Sequence, residues 1–285
     1  MKRVAAILQL LRPHQWLKNL MLFFPPFLGG TLLTQGMVVK GTIPFILFSL
    51  ASSAGYLVND LLDREADSNH PRKSSRPLVS GTASVKTAQI LSVSLTACAV
   101  ISAVFVGTTF TLLVLAYLTV SFAYSCCLKN IPVVDLFCIA TGFLFRLMAG
   151  GAVFNIRVSE WLFLSVLLLS LFLSAGKRLS EKQTLGDTGA ASHRKVLTHY
   201  PDGFLDGVLF MTGSAVLVTY TMYTLSHNFL LYTVPLCCFG LLRYILRVKS
   251  GLSGDPTESL LRDPWLLVVG AGWGIMVGWG IYGIT

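Results

Sequence analysis

Nine apolar stretches, each about as long as a bilayer is thick, leave this chain few ways to fold. They run over residues 20–36, 42–60, 85–106, 108–126, 132–153, 160–177, 204–225, 228–247 and 264–284. A helix needs about 20 apolar residues to cross the hydrocarbon. Only helices and closed barrels satisfy their own backbone there, and these lengths fit helices. The expected fold class is therefore all-α: a polytopic membrane bundle of about nine transmembrane helices, with residues 1–285 forming a single domain. Thr42 to Val58 carries no charge, and Gly107-Thr108-Thr109 supplies the tightest link, between the third and fourth spans. Charged residues make up 12% of the chain, about half of what a soluble domain carries.

The distribution of charge sets an orientation. With nine spans, the N-terminal segment and the loops after spans 2, 4, 6 and 8 share one side and hold 19 of the 22 Lys and Arg residues. Lys40 and Arg157 lie on the other side, and Arg146 lies inside the fifth span. That bias assigns the basic side to the cytoplasm. The expectation is a protein of the cytoplasmic (inner) membrane, with N-terminus and active site cytoplasmic and C-terminus opposite. Twelve of the thirteen acids share the basic side, Glu160 being the exception. A transporter distributes polar groups around the midplane. Here they collect at one face, as in an enzyme that draws a soluble substrate from the cytoplasm. The net charge of +9 suits anionic headgroups, and nothing reads as nucleic-acid binding.

Lys2, Arg3, Arg12 and Lys18 precede a first span that holds Pro25-Pro26 and no small-residue cleavage site, so no signal peptide is expected. The six cysteines show no Cys-x-x-Cys pair and are expected to pack as small hydrophobes.

Chemistry is densest where the second span ends. Residues 59–67 read Asn-Asp-Leu-Leu-Asp-Arg-Glu-Ala-Asp. Asn59, Asp63 and Asp67 are four apart, which on a helix stacks them on one face about 6 Å apart. Stacked oxygen donors with room for phosphate oxygens suit Mg2+. The alternative is an acidic helix end facing water. The run His70-Pro71-Arg72-Lys73-Ser74-Ser75-Arg76-Pro77 follows at once. Carboxylates answered so closely by cations read as a metal-plus-phosphate pocket. Asp60, about 100° off the stripe, is placed to orient Lys73 or Arg76.

Four further segments meet the membrane on the same side. In Arg12–Asn19, Gln15, Lys18 and Asn19 share a helical face and can point together into a pocket, whereas Arg12 and Trp16 read as interfacial anchors. Between spans 4 and 5, Tyr124 and Lys129 are donors suited to a phosphate, and Asp135 can orient a cation; Tyr124 also fits an aromatic belt. Arg146, three turns deeper than Asp135, needs a partner and is either functional or part of a structural ion pair. After span 6 come Lys177, Arg178, Glu181, Lys182, Arg194 and Tyr200, a phosphate-binding set or a positive-inside loop. The last segment, Arg243 to Asp263, has a structural reading, with Thr257 as N-cap of a short helix.

The motif Asn59-Asp60-x-x-Asp63-x-x-x-Asp67 on the second helix resembles the first Asp-rich motif of the UbiA superfamily of intramembrane prenyltransferases. The resemblance covers the whole chain, and Tyr124 and Lys129 are similar to that family's Tyr/Lys pair after span 4, with one extra residue of spacing. It implies a Mg2+-pyrophosphate site at the first motif, with Asn59, Asp63 and Asp67 as metal ligands and Asp60 beside them. The family's second motif, Asp-x-x-x-Asp after span 6, is replaced here by Gly176-Lys177-Arg178-x-x-Glu181, with Asp187 six residues on. Together with Arg12-Pro-x-Gln15-Trp16-x-Lys18-Asn19 and His70-Pro71-x-Lys73-x-x-Arg76-Pro77, this looks like the decaprenyl-phosphate phosphoribosyltransferase subgroup. That resemblance implies transfer of 5-phosphoribose from phosphoribosyl pyrophosphate (PRPP) to a polyprenyl phosphate, a step toward lipid-linked arabinose in cell-wall biosynthesis. Three phosphate-bearing groups in one pocket call for more cations and fewer carboxylates, the direction in which the chain departs. The alternatives are a prenyltransferase with an aromatic acceptor, which would keep the second acidic pair, and a lipid or ion transporter, which would repeat charges at the midplane. Isoprenoid length and oligomeric state are not written in these motifs.

Overall fold

The computed structural model describes residues 2–68, 74–193, 195–225 and 229–283, without the side chains of 2–5, 185–193 and 195. The described residues form helices and turns and no strand. In chain order the α-helices are α1 (Lys2–Leu11), α2 (Phe24–Leu28), α3 (Met37–Leu62), α4 (Arg64–Ser68), α5 (Val85–Val104), α6 (Thr108–Cys126) and α7 (Val134–Phe154). They continue with α8 (Glu160–His193), α9 (Phe204–Leu225), α10 (Val234–Lys249), α11 (Pro256–Arg262) and α12 (Pro264–Tyr282). Eight helical segments are long and apolar enough to cross a membrane, and they coincide within a few residues with eight of the nine expected spans.

The remaining expected span, 20–36, takes a different form. The chain is a 3₁₀ helix over Pro13–Phe23 that runs directly into α2. A 3₁₀ helix rises about 2.0 Å per residue against about 1.5 Å for an α-helix, so residues 13–28 reach about 30 Å, a bilayer's hydrocarbon thickness. Contacts show this segment descending antiparallel to α3. Arg12 meets Asp60, Trp16 donates to Ser53 Oγ at 3.0 Å, Asn19 donates to Ser49 Oγ at 2.9 Å, and Phe23 lies 6.2 Å from Phe45, ring to ring. Close approach is secured by Gly150 of α7, where a Cβ would stand 2.1 Å from the Leu22 carbonyl. Trp16 and Arg12, expected as interfacial anchors, are both bonded to α3.

The core forms in two parts. Leu22, Phe48, Phe110, Val114, Tyr117 and Phe154 join the 3₁₀ segment with α3, α6 and α7. Phe172, Leu209, Tyr244 and Val248 join α8, α9 and α10, and α7 against α8 closes the two halves together. Gly107, at φ 149°, makes the turn from α5 into α6 that a side chain would resist. All six cysteines are free; Cys98, Cys126 and Cys127 are exposed rather than packed inside. Thr257 is not the N-cap of α11: Asp255 is, accepting from the backbone N–H groups of Thr257 and Glu258 at 3.1 and 3.2 Å.

Candidate active site

The expected stripe of Asn59, Asp63 and Asp67 is not carried on one unbroken helix. α3 stops at Leu62, Asp63 sits at φ −89°, ψ 1°, and α4 restarts at Arg64. The register survives the break, because Asp63 N–H donates to Asn59 O at 2.9 Å and Asp67 N–H to Asp63 O at 2.8 Å. Asn59 and Asp63 stay together across the break, while Asp67 turns to a different partner. Asp63 accepts from Asn59 Nδ2 at 2.9 Å and from Lys129. Asp67, buried, accepts from Arg76. Asp60, 5% exposed, takes two bonds from Arg12 at 2.6 and 2.9 Å and one from Arg76 at 3.0 Å. Arg12 itself is in the left-handed conformation (φ 51°) where the chain turns from α1 into the 3₁₀ segment. Each carboxylate of the motif thus faces a cation contributed from elsewhere in the chain.

A metal ion would enter an already charged cluster. Among the described residues no three His, Cys, Asp or Glu side chains form a ready cage. Asn59 Oδ1, however, is buried with no hydrogen-bond partner, and its neighbour is the Asp63 carboxylate. An orphaned hard oxygen beside a carboxylate fits Mg2+, which is held by one or two carboxylates with substrate phosphates filling other positions.

A second network lies between α6, α7 and α8. Arg178 is 1% exposed and bonds Asp135 at 2.7 Å, Glu181 at 2.9 Å and Tyr124 Oη at 3.0 Å. Tyr200 donates to the other oxygen of Asp135 and accepts from Val133 N–H at 2.8 Å. Burial and the bond to Asp135 push the Tyr200 phenol well above its ordinary range, so it stays a neutral donor. Val133 has φ 68°, an outlier for a β-branched residue, where the chain enters α7. Arg178, expected to line the phosphate pocket, is instead a buried strut with all three nitrogens engaged. Asp135, Tyr124 and Glu181 are its partners, and Tyr200 joins the network through Asp135.

Lys177, one residue earlier, is the accessible member. It is 36% exposed and pairs with Asp255 at 2.9 Å. Although burial raises the Asp255 pKa, Lys177 and Lys18 outweigh it and hold that carboxyl down to about 2. Gly254 permits this meeting, since a Cβ there would stand 2.6 Å from the Gly176 carbonyl. Asp255 was not among the expected site residues; Gly-Asp-Pro marks a helix start, and nothing local signals a partner 78 residues away.

Arg146 lies deeper, 4% exposed. It donates to Asn19 Oδ1 at 2.6 Å, Gly142 O at 2.7 Å, and the hydroxyls of Ser52 and Tyr117 at 3.2 Å. It is not part of an ion pair among the described residues. Gln15 is partly buried and makes no side-chain hydrogen bond among the described residues. Lys73 and Arg194 lie outside the described residues, as does the side chain of Asp187. The structure therefore gathers Arg12, Asp60, Asp63, Asp67, Arg76 and Lys129 in one cluster, and Lys18, Lys177 and Asp255 in a second.

Known proteins resemble this chain in sequence and in fold. The decaprenyl-phosphate phosphoribosyltransferase of Mycobacterium tuberculosis is 34% identical over 96% of this chain and 94% of its own length. That of Corynebacterium glutamicum is 32% identical over 97% and 86%. Among solved structures, a UbiA homologue from Archaeoglobus fulgidus bound to GPP and Mg2+ superposes with a TM-score of 0.71 at 20% identity, covering both chains completely. Residues 23–262 match the UbiA prenyltransferase family, and this chain, an integral membrane transferase, belongs to it.

Proposed function

We propose that the protein transfers 5-phosphoribose from PRPP to a polyprenyl phosphate in a Mg2+-dependent reaction, acting as one domain at the cytoplasmic face of the inner membrane. The observation that carries this reading is the stretch after the sixth span. There Lys177 and Arg178 stand where prenyl-transferring relatives would keep an acidic pair, and Glu181 is engaged by Arg178. Similarity to two phosphoribosyltransferases over nearly the whole chain supports the same reading. Counting residues 13–28 as a crossing gives nine passes and keeps the charge bias consistent, with the N-terminus cytoplasmic and the C-terminus opposite.

In this mechanism Asn59, Asp63 and Asp67 would hold Mg2+, which when bound would supply Lewis-acid stabilisation of negative charge on the pyrophosphate. Lys129 and Arg76, now on Asp63 and Asp67, are placed to turn onto donor phosphates. Asp60 keeps Arg12 and Arg76 oriented, and the Arg178–Asp135–Tyr200 strut fixes α7 against α8 beneath them. Breaking the bond at the anomeric carbon develops positive charge on the ribose, and the acceptor phosphate oxygen attacks the opposite face. A phosphate monoester is largely ionised near neutral pH, so no general base is needed. Catalysis rests on positioning and electrostatics. The test is to incubate purified protein with PRPP, Mg2+ and polyprenyl phosphate and to weigh the lipid product. A phosphoribosylated lipid that disappears with excess EDTA supports the reading; an unchanged lipid refutes it.

A further inference from the structure

Two cations of the inner wall have no carboxylate of their own. Arg146 has only neutral acceptors, together with the faces of Tyr117, Phe48 and Phe143 at 4.7, 5.4 and 5.6 Å. Lys18 makes no hydrogen bond or ion pair among the described residues, yet lies close enough to Lys177, Arg146 and Asp255 to feel their charges, and it stays partly exposed. Asp255 is already bonded to Lys177. A region carrying excess positive charge is complementary to an anion.

Depth identifies which anion. Ser52 is eight residues before Asp60 on α3, and Tyr117 is seven before Tyr124 on α6, so Arg146 sits about 10–12 Å below the carboxylate cluster, toward the membrane interior. A water-borne donor reaches the upper cluster first. A phosphate tied to an apolar chain sits lower, its tail among the spans. We infer that Lys18, with Arg146 behind it, receives the phosphate monoester of the membrane-anchored acceptor, at a site separate from the one that holds the donor. This rests on the proposed reaction for its physiological meaning. Lys18 is the contacting residue; Arg146 is a positioning residue that holds Asn19 and adds charge from below.

The test is direct binding to detergent-purified protein, without turnover, using polyprenyl phosphate, polyprenol and PRPP as separate probes. Losing a charge-assisted bond in such a site corresponds to a loss of tenfold or more. Lys18→Met should weaken polyprenyl phosphate at least tenfold and leave polyprenol and PRPP within twofold. Lys18→Gln should do the same, and Lys18→Arg should restore most of the affinity. Equal binding of polyprenyl phosphate and polyprenol by the unmodified protein overturns the inference. So does a Lys18→Met variant that loses PRPP rather than the lipid phosphate. Because no donor chemistry is needed, a failure of phosphoribosyl transfer would leave this result readable on its own.

Discussion

Arg178 and Lys177 are neighbours in sequence with opposite roles, and substitutions should separate them. Asp135 is fully buried and bonds Arg178 Nε and Tyr200. Asp135→Asn keeps the shape and removes the charge. Breaking one side of a buried pair costs about 3–5 kcal/mol. Glu181, 28% exposed, still faces Arg178, which places the loss near about 3 kcal/mol. Lys177, by contrast, is 36% exposed and its pair with Asp255 is screened, so Lys177→Ala should cost under about 1 kcal/mol. The assay is thermal unfolding in detergent, compared at one scan rate because membrane proteins unfold irreversibly. At about 2–4 °C per kcal/mol, Asp135→Asn should lower the apparent Tm by about 6–12 °C, and Lys177→Ala by less than about 4 °C. Asp135→Asn combined with Arg178→Met should recover part of the loss, since the orphaned charge goes too. A Lys177→Ala variant with normal Tm should bind PRPP more weakly. The reasoning fails if Asp135→Asn melts with the unmodified protein, or if Lys177→Ala melts as early as Asp135→Asn.

Other predictions concern the remaining parts of the site. Asp63→Ala should cut turnover at least about 100-fold, a size typical of lost transition-state charge stabilisation, while its elution on size exclusion stays normal; full turnover in excess EDTA would remove the metal assignment. Val133, at φ 68°, ψ −46°, should be replaceable by Gly with no loss of stability and a gain of up to about 1 kcal/mol, read as a higher Tm.

Eight of the spans were legible because apolar length and charge silence are local properties, and Gly107 marks its break unaided. The carboxylate motif was legible for the same reason: a four-residue spacing is written in the chain. Two things were not. Residues 13–28 form a 3₁₀ helix leading into α2 instead of the apolar α-helix expected over 20–36, and apolar length alone does not signal that; the pairing of Trp16 with Ser53 and of Asn19 with Ser49 depends on tertiary register. Charge partners were the other gap. Asp60 off the stripe signals that it needs a cation, but that Arg12 answers it across 48 residues, and Asp255 answers Lys177 across 78, follows only from the packed fold. Arg178 and Lys177 were read together as one phosphate-binding pair; burial, which differs between adjacent residues on a helix, separates them.

Donor choice tests the central claim most directly. Purified protein is given PRPP and a prenyl pyrophosphate at equal concentration, with polyprenyl phosphate and an aromatic acid as acceptors, and all products are weighed. PRPP, anionic at both ends, can engage the carboxylate-bound Mg2+ and the separate cations at once; a prenyl pyrophosphate has one anionic end. The account predicts phosphoribosylated polyprenyl phosphate and negligible prenylated acid. Prenylation of the aromatic acid at a comparable or higher rate would contradict it, while leaving the family and fold unchanged.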